Sequence, residues 1–399
     1  MERPSPVERP DPLVGSPPSV IDRRRFLLLA GATVAYSALG PAQALARHAD
    51  RDLVNLQPWS LSEQVPTANA TEVARAVLGA AVLAPSSWNT QPWRMEVEGS
   101  SIRLHPDTHR VLPVTDPDQR SQMISLGAAL ENILIALRAY GLQPTVRYLP
   151  DDAPGAVATV SWVPAPAGPR DRLLFRAITE RRSNRHDYDG RGIYPQNRAA
   201  LAAQVTSDLR LHWIEEHDGI RSVADLASDA AEAATRDRRA QRERWAWLRF
   251  GDDDARRHGD GVTVESLDYG VVASVLAGSY FDPGSGMLRF GAQSAARKAH
   301  SAVRSAGALV LITGPGTGPI AWVNAGQSYQ RLALRATTLG IAQQILNAPI
   351  EVERFRGDLL RAFGAPGEDP LLMVRLGHAT RPAPSVRHAV SQVASFRLS

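Results

Sequence analysis

The chain has 399 residues, a formal net charge of +4 and no cysteine. The lack of thiols excludes disulfides, Cys-ligated zinc or iron–sulfur centres and a Cys nucleophile. Lys298 is the single lysine, so a Schiff-base enzyme would have to use it. Acidic and basic residues are spread along the chain, and this distribution does not indicate a nucleic-acid-binding face.

The first 46 residues predict an export signal. Arginines at 23–25 precede an apolar run from Phe26 to about Leu39, and small-x-small sites end at Ala44 and Ala46. This order is typical of a secretory signal, and the paired arginines before Phe-Leu resemble a twin-arginine signal. The apolar run is shorter than a spanning helix needs, and no later run is long enough either. We therefore expect export by the twin-arginine machinery to the periplasm or cell exterior, without a transmembrane span.

The part of the chain that follows is predicted to alternate helices with short strands. Helices are expected at 71–84 and 121–140, and strands at 93–97, 102–105, 146–148 and 157–163. Asn69 or Thr71 is expected to cap the first helix, and Gly141 to end the second. A Pro/Ala-rich stretch at 164–169 is the predicted linker between a first domain at 47–165 and a second at 166–399.

The second part continues the alternation, which gives an α/β or α+β class. Helices are expected at 171–182, from Pro195 onward, and at 220–249, 321–339 and 352–363; strands are expected at 209–213, 308–313 and 371–376. An acidic, Gly-rich stretch at 251–270 predicts a mobile loop.

A faint internal duplication connects the two parts. In the first part, 13 residues separate Gly127 from Gly141. The same spacing separates Gly326 from Gly340, 199 residues later in the chain. This offset is too long for a solenoid repeat and suits two copies of one domain.

The most specific segment is Pro-Ser-Ser-Trp-Asn-Thr-Gln-Pro-Trp at 85–93. Its prolines stiffen the backbone, and its amides offer donors and acceptors suited to the edge of a heterocycle. Its tryptophans offer flat walls. The alternative is an ordinary turn with Trp93 buried beneath it.

A second segment, Arg-Arg-Ser-Asn-Arg at 181–185, has the composition of a phosphate clamp. Guanidinium groups bind phosphate oxygens in a planar, bidentate manner. The alternative is a solvated basic helix end. His105 and His109 lack an evident third ligand, so we predict no metal site.

Together, Pro-Ser-Ser-x-Asn-x-Gln-Pro-Trp and Arg-x-Ser-x-Arg resemble the signatures of the nitroreductase superfamily of FMN enzymes, and more closely its Acg-type two-domain branch. The resemblance covers roughly residues 70–395, with supporting stretches at 112–118, 127–130, 339–341 and 375–377 and at Arg387. It implies an α+β, nitroreductase-like three-layer fold in which two fused half-domains mimic the family homodimer. Arg387 is followed by His388 where relatives often have a second arginine, so one phosphate contact differs.

The resemblance also implies a set of FMN-binding residues. In single-domain members FMN lies in the dimer interface, between residues of both subunits. The residues implied for phosphate and ribityl are Arg181, Ser183, Arg185 and Arg387. The residues implied along the isoalloxazine are Pro85, Ser86, Ser87, Asn89 and Gln91. The resemblance also implies that the backbone near Gln343 and Gln344 approaches the N5 edge of the flavin. No side chain is assigned a catalytic acid or base role.

Each half retains the motif that the other lacks, because the loop motif occurs only in the first and Arg-x-Ser-x-Arg only in the second. If the halves pair like the family's dimer, one composite site is complete and its symmetry mate is not. We therefore predict one FMN per chain.

The expected function is that of an exported FMN oxidoreductase. It would pass a hydride from NAD(P)H through flavin N5 to a nitroaromatic or quinone-like acceptor. The alternative is a flavin-sequestering protein without turnover, because reduced nicotinamide is scarce outside the cytoplasm. Trp245, Trp247 and the 251–270 stretch would then form a lid over the flavin; they would otherwise be a surface flap. A third alternative, an exported protein without flavin, predicts a colourless protein.

Overall fold

The computed structural model describes residues 59–64, 69–165, 169–268, 281–314, 316 and 318–397, with side chains at 169 and 170 left out. The predicted export signal lies outside these residues, as does part of the predicted linker. The domain boundary at 165/166 stays a prediction.

A five-stranded sheet forms from the first half of the chain and its last strand. The strands are β1 Trp93–Glu98, β2 Ser101–Pro106, β3 Leu142–Tyr148, β4 Ala158–Pro164 and β11 Ala394–Arg397. Their order is β11-β1-β2-β4-β3, and only the β1/β11 pair is parallel. The C-terminus therefore returns to the sheet that the first half builds.

A second, four-stranded antiparallel sheet belongs to the second half. Its strands are β5 Arg210–Ile214, β8 Ala308–Gly314, β9 Ala342–Ile345 and β10 Asp369–Gly377, in the order β5-β8-β10-β9. Along β8, Val310 and Ile312 join one core while Leu309 and Leu311 join another. Both faces of this sheet are thus covered, because successive side chains of a strand point to opposite faces. A short parallel pair joins β6 Leu248–Arg249 to β7 Val262–Thr263.

Helices cover the two sheets. They are α1 Ala70–Ala81, α2 Arg120–Ala139, α3 Pro169–Glu180, α4 Pro195–Ala202, α5 His217–Arg236, α6 Arg238–Ala246, α7 Asp252–His258, α8 Leu288–Arg304, α9 Pro319–Thr338, α10 Ala348–Glu351, α11 Arg356–Ala362 and α12 Val390–Val393. Three end signals are confirmed. The Asn69 side chain accepts from the Glu72 N–H at 3.0 Å, Pro195 opens α4, and Gly141 and Gly340 follow α2 and α9 with φ of 75° and 68°.

Helices α2 and α9 cross at the two glycines of the internal duplication. A Cβ on Gly127 would lie 2.1 Å from the Val323 carbonyl oxygen, and one on Gly326 would lie 2.0 Å from that of Ile124. The two contacts are reciprocal, since each glycine meets the residue three positions before the other. This is the self-complementary geometry of a two-fold dimer, and it confirms that the chain fuses two half-domains.

The same reciprocity continues one turn further along both helices. The Arg331 Nη1 donates to Glu131 Oε2 at 2.7 Å, and the Gln330 Nε2 donates to Asn132 Oδ1 at 2.7 Å. With the 199-residue offset, these pairs occupy equivalent positions across the crossing. The two halves therefore retain the pairing geometry of a dimer while their side chains have diverged.

Three sequence-based predictions in the second half are wrong in detail. The helix expected at 220–249 is two helices, because the Asp237 side chain accepts from the N–H groups of Arg239 and Ala240 and starts α6. The stretch expected to be a loop at 251–270 contains α7, β7 and a 3₁₀ turn, Glu265–Leu267. The helix expected at 352–363 is a 3₁₀ turn, Glu353–Phe355, followed by α11.

Among the described residues, α2 alone has the length and hydropathy of a membrane span, so the expectation that no later run is long enough is wrong for this helix; 94% of its apolar 18-residue stretch is buried inside the protein. A core helix has the same properties. The burial of α2 follows from its position between the first sheet and α9.

Candidate active site

Two adjoining cavities lie beside the α2/α9 crossing. The first, of about 220 Å³, is walled by both halves of the chain. The first half contributes the 85–88 loop and one face of α2, and the second half contributes Ser183, Arg185, Tyr329 and the end of β9. A concave pocket with apolar walls and a few converging polar groups is the usual form of a small-molecule site.

The loop that lines the first cavity has a strained backbone. Trp88, Asn89 and Gln91 have φ of 49°, 54° and 51°. A left-handed conformation costs a non-glycine residue roughly 1–2 kcal/mol, and asparagine tolerates it best. Such strain persists only where surrounding contacts fix the backbone, and it is frequent at functional sites.

The amides of Asn89 and Gln91 supply those contacts. The Asn89 Nδ2 donates to the carbonyl oxygens of Gly261 at 2.9 Å and Val386 at 3.1 Å. The Gln91 Nε2 donates to the Gly259 carbonyl oxygen at 2.8 Å, and its Oε1 accepts from the His388 N–H at 2.9 Å. Both side chains are buried, and they bind the loop to two distant segments. Their amides connect distant segments of the chain and do not line either cavity.

Asp260 adds an ionic anchor beneath the same loop. It pairs with Arg110 at 2.8 Å, with Arg249 and with His388 at 3.5 Å. Burial alone would raise the pKa of Asp260, but hydrogen bonds from His388, Arg249 and Arg110 hold it well below its usual range.

Three arginines cluster behind the wall of the first cavity. Arg181 is 2% exposed, Arg387 is 8% exposed, and Arg182 is half-buried. Ser183 follows Arg182 in the chain and lines the cavity, and the Arg387 Nη2 donates to the carbonyl oxygen of Ala84, which precedes the lining residue Pro85. The cluster is therefore connected to the cavity lining through Ser183 and Pro85, although none of the three arginines lines the cavity itself.

These arginines have unpaired buried donors. The Nε and Nη1 of Arg181, the Nε of Arg182 and the Nε of Arg387 have no hydrogen-bond partner. Within the described part of the chain, no carboxylate forms an ion pair with any of the three. Burial lowers the pKa of Arg181. Burial and the charge of Arg181 lower the pKa of Arg182 to about 10. Burial and both neighbouring charges lower the pKa of Arg387. Such a cluster is costly unless an anion compensates it.

Trp59 covers the outer side of the arginine cluster. The guanidinium carbons of Arg182 and Arg387 lie 4.3 and 5.1 Å from its ring centre. Its indole N–H donates to the Ser385 carbonyl oxygen at 2.7 Å, which fixes the ring. The ring thus restrains two of the three guanidinium groups.

Arg375 is a contrasting buried arginine with satisfied donors. Its guanidinium donates to Gln344 Oε1 and to the carbonyl oxygens of Ala302, Asn184 and His186, at 2.6 to 3.1 Å. It therefore connects three segments without any carboxylate, and it needs no ligand.

The second cavity, of about 260 Å³, continues from the first. It extends between α5 and α8 and is also lined by Arg244 and Lys298. Seven residues line both cavities: Trp88, Arg185, Leu267, Gln344, Ile345, Asn347 and Glu351. Trp245 packs with Trp88 and Leu267 in a small cluster beside the cavities, so the 245–267 region contacts the site.

The structure distributes the ten residues implied by motif over three locations. Pro85, Ser86, Ser87, Ser183 and Arg185 line the first cavity. Arg181 and Arg387 lie in the arginine cluster. Asn89, Gln91 and Gln343 are buried, and the Gln343 amide binds the Tyr329 hydroxyl at 2.6 Å and the Arg182 carbonyl oxygen at 2.8 Å.

Sequence reasoning did not select several lining residues. On α2 these are Ser121, Ile124, Ser125 and Ala128, whose i, i+3, i+4, i+7 spacing marks one helix face. Asn347 and Glu351 lie after β9, a strand that the sequence analysis did not predict. The unpaired donors of Arg182 became evident only from its burial.

The chain is 30% identical over 353 residues to "Putative NAD(P)H nitroreductase Rv3131" of Mycobacterium tuberculosis, which covers 85% of this chain and 95% of that protein. It is 31% identical over 140 residues to "Putative NAD(P)H nitroreductase acg" of the same species, covering 35% of this chain and 42% of that protein. No family model matches the chain.

Among solved structures, a putative nitroreductase from Anabaena variabilis matches with a TM-score of 0.44 and 12% identity, covering 82% of this chain and 91% of that one. The FMN-dependent nitroreductase NfnB from Mycobacterium smegmatis, solved with NADPH, matches with a TM-score of 0.36 and 14% identity, covering 57% and 99%.

Proposed function

The chain belongs to the nitroreductase family, and we propose that it is an exported FMN-dependent oxidoreductase with one FMN per chain. The proposed electron donor is NAD(P)H, and the proposed acceptors are nitroaromatic or quinone-like compounds. The arginine cluster beside the first cavity is the observation that carries this proposal.

The residues of the cluster fit a phosphate group. Arg181, Arg182 and Arg387 present four unpaired buried N–H donors from three guanidiniums. A terminal phosphate would satisfy these donors and neutralise the mutual repulsion of the three charges, because guanidinium–phosphate hydrogen bonds are strong and bidentate. The cation–π contacts of Trp59 would keep two guanidiniums in place for it.

The first cavity fits the ring system. Pro85, Ile124 and Ala128 supply apolar contacts, while Ser86 and Ser183 supply polar ones. When bound, FMN supplies the hydride chemistry itself, and the protein supplies position and electrostatics. The Arg185 side chain lines both cavities and would stabilise negative charge that develops on the ring. Val262 and Leu267 add apolar lining to the same cavity.

The fused architecture supports a single cofactor. The cavity needs the 85–88 loop of the first half and Ser183 and Arg185 of the second, and each of these motifs occurs once in the chain. The pairing of α2 with α9 brings the two motifs together without a partner chain. Export rests on the twin-arginine-like sequence at the N-terminus.

The test is an absorbance spectrum of the purified chain with released flavin quantified per chain, followed by anaerobic addition of NADPH. We expect about one FMN per chain and bleaching of the flavin bands. One FMN that stays oxidised with both NADH and NADPH would refute turnover and favour flavin sequestration. A chain that remains colourless after incubation with FMN would refute the proposed function. Export is tested separately by fractionation, with the arginine pair 23–24 replaced by lysines as the control.

A further inference from the structure

The second cavity has a lining that the cofactor assignment leaves unexplained. Its volume of about 260 Å³ is ample for a single aromatic ring, since an engineered cavity of about 150 Å³ accommodates benzene. Small alanine side chains of α5 and α8 form facing walls: Ala227, Ala231 and Ala234 on one helix and Ala295, Ala299 and Ala302 on the other. Walls of this kind suit a flat apolar ring.

Two amide groups at the junction of the two cavities have donors left over. The Gln344 Oε1 accepts from the Arg375 Nε at 2.8 Å, and the Asn347 Oδ1 accepts from the Met373 backbone N–H at 3.0 Å. A guanidinium and a backbone N–H can only donate, so the amide oxygens face them and the NH₂ groups are left over. Neither NH₂ group has a hydrogen bond to any described residue, and both side chains line the cavity.

The charged groups of the lining are predominantly positive. Arg185, Arg244 and Lys298 line the cavity, against the single carboxyl of Glu351. Lys298 pairs with Asp268 at 2.7 Å and with Asp187 at 3.4 Å, and Arg244 lies 3.6 Å from Glu351. The lining therefore combines a flat apolar slot, two amide donors and cationic side chains.

We propose that the second cavity binds a small aromatic compound bearing an oxyanion, such as a ring carboxylate, with the ring between α5 and α8 and the oxyanion at the NH₂ groups of Gln344 and Asn347. This inference rests on the proposed function, because it names the class of acceptor that would reach the first cavity from the second. It adds a specificity that neither the motifs nor the family membership supplies.

The direct test compares 4-nitrobenzoate with its neutral isostere 4-nitrobenzamide by titration calorimetry on the purified, FMN-loaded chain. We expect 4-nitrobenzoate to bind at least about tenfold more tightly, as charge-assisted hydrogen bonds are stronger than neutral ones. Equal affinities, or a preference for the amide, overturn the proposal.

Two variants locate the binding. Ala231→Leu fills the slot and is expected to abolish binding of both probes; Ala233→Leu, two residues along α5 and outside the lining, is the matched control and is expected to bind normally. Asn347→Asp keeps the oxygen that accepts from Met373 but replaces the NH₂ donor with a carboxylate oxygen. It is expected to weaken 4-nitrobenzoate at least about tenfold while leaving 4-nitrobenzamide within about threefold. Gln143→Glu makes the same charge change on exposed β3 and is expected to have no effect.

The outcomes separate this inference from the proposed function. FMN content is measured on every sample, and the same titrations are repeated on flavin-free chain. Failure to bind FMN refutes the proposed function, whereas the probe preference and its loss in Asn347→Asp would still support an oxyanion-binding cavity. Normal FMN content with unchanged probe affinity in both Ala231→Leu and Asn347→Asp overturns the inference alone. If Ala231→Leu does not fold, the affinity of Asn347→Asp for 4-nitrobenzoate is the deciding measurement, and an unchanged affinity overturns the inference.

Discussion

Arg181 offers a test in which cofactor affinity and protein stability are expected to respond in opposite directions. Its guanidinium is 2% exposed, its Nε and Nη1 have no partner, and Arg182 and Arg387 are close enough to repel it. Each buried, unsatisfied donor costs about 1–3 kcal/mol. Arg181→Gln removes one charge and both donors, so the flavin-free protein is expected to unfold at the same temperature or a higher one.

The effect on the cofactor has the opposite sign. A charge-assisted hydrogen bond contributes about 1.5–3 kcal/mol, and two such bonds to phosphate would be lost. A loss of about 3 kcal/mol or more corresponds to a weakening of FMN affinity of at least about 100-fold. Riboflavin has no phosphate, so its affinity is expected to be nearly unchanged. The assay is quenching of flavin fluorescence by the apoprotein, measured with FMN and riboflavin, together with thermal unfolding.

Arg375→Gln is the matched control, because Arg375 is equally buried but satisfied by carbonyl oxygens. It is expected to lower the unfolding temperature markedly and to leave the ratio of FMN to riboflavin affinity unchanged. The reasoning is refuted if Arg181→Gln destabilises the flavin-free protein as strongly as Arg375→Gln and weakens both flavins equally. Arg181 would then be a structural residue with no role toward phosphate.

Three further predictions follow from other contacts. Gly127→Ala and Gly326→Ala each place a Cβ against a backbone carbonyl of the opposite helix. Each is expected to lower the free energy of unfolding by about 1–3 kcal/mol or more, measured by thermal unfolding. Gly286→Ala, at an open site, is the control, and equal unfolding temperatures in all three variants would contradict the close approach of α2 and α9. Trp59→Ala removes the ring that contacts Arg182 and Arg387 and is expected to accelerate FMN release roughly tenfold, whereas Trp59→Phe keeps an aromatic ring and is expected to release FMN nearly as slowly as wild type; equal release rates in all three proteins would refute a role of the Trp59 ring in FMN binding. Asp260 has a lowered pKa, so its contribution to stability is present above its unfolded pKa near 3.9 and is lost as the pH falls toward its folded value. The free energy of unfolding of Asp260→Asn is therefore expected to be about 3 kcal/mol lower than that of wild type at pH 7, and the difference is expected to shrink below about pH 4. A difference that stays constant with pH would refute the stabilising role of the ionised Asp260 carboxylate.

Local sequence signals were sufficient to predict the positions of most helices and strands. Asn69, Pro195 and Gly141 each define a helix end through their own backbone or side-chain chemistry, and the structure confirms all three. The split of 220–249 could be anticipated only from Asp237, a capping residue hidden within a continuous charged pattern. β9 was not predicted because three of its four residues, Ala-Gln-Gln-Ile, have little strand propensity and because its partners, β10 and Ser183, are distant in the sequence.

The sequence by itself determined the family, through two short motifs in order, and the duplication, through two glycines 199 residues apart. Both signals are local, because a motif or a glycine is specified by residue type alone. Only the tertiary structure decided that those glycines touch the opposite helix, which of the motif residues line a cavity, and that Asn89 and Gln91 hold the loop instead. It also decided that Arg181 is unpaired while Arg375 is satisfied, and that the oxygens of Gln344 and Asn347 are taken. Burial and hydrogen-bond partners arise from contacts between distant segments, and no local pattern of residue types records them.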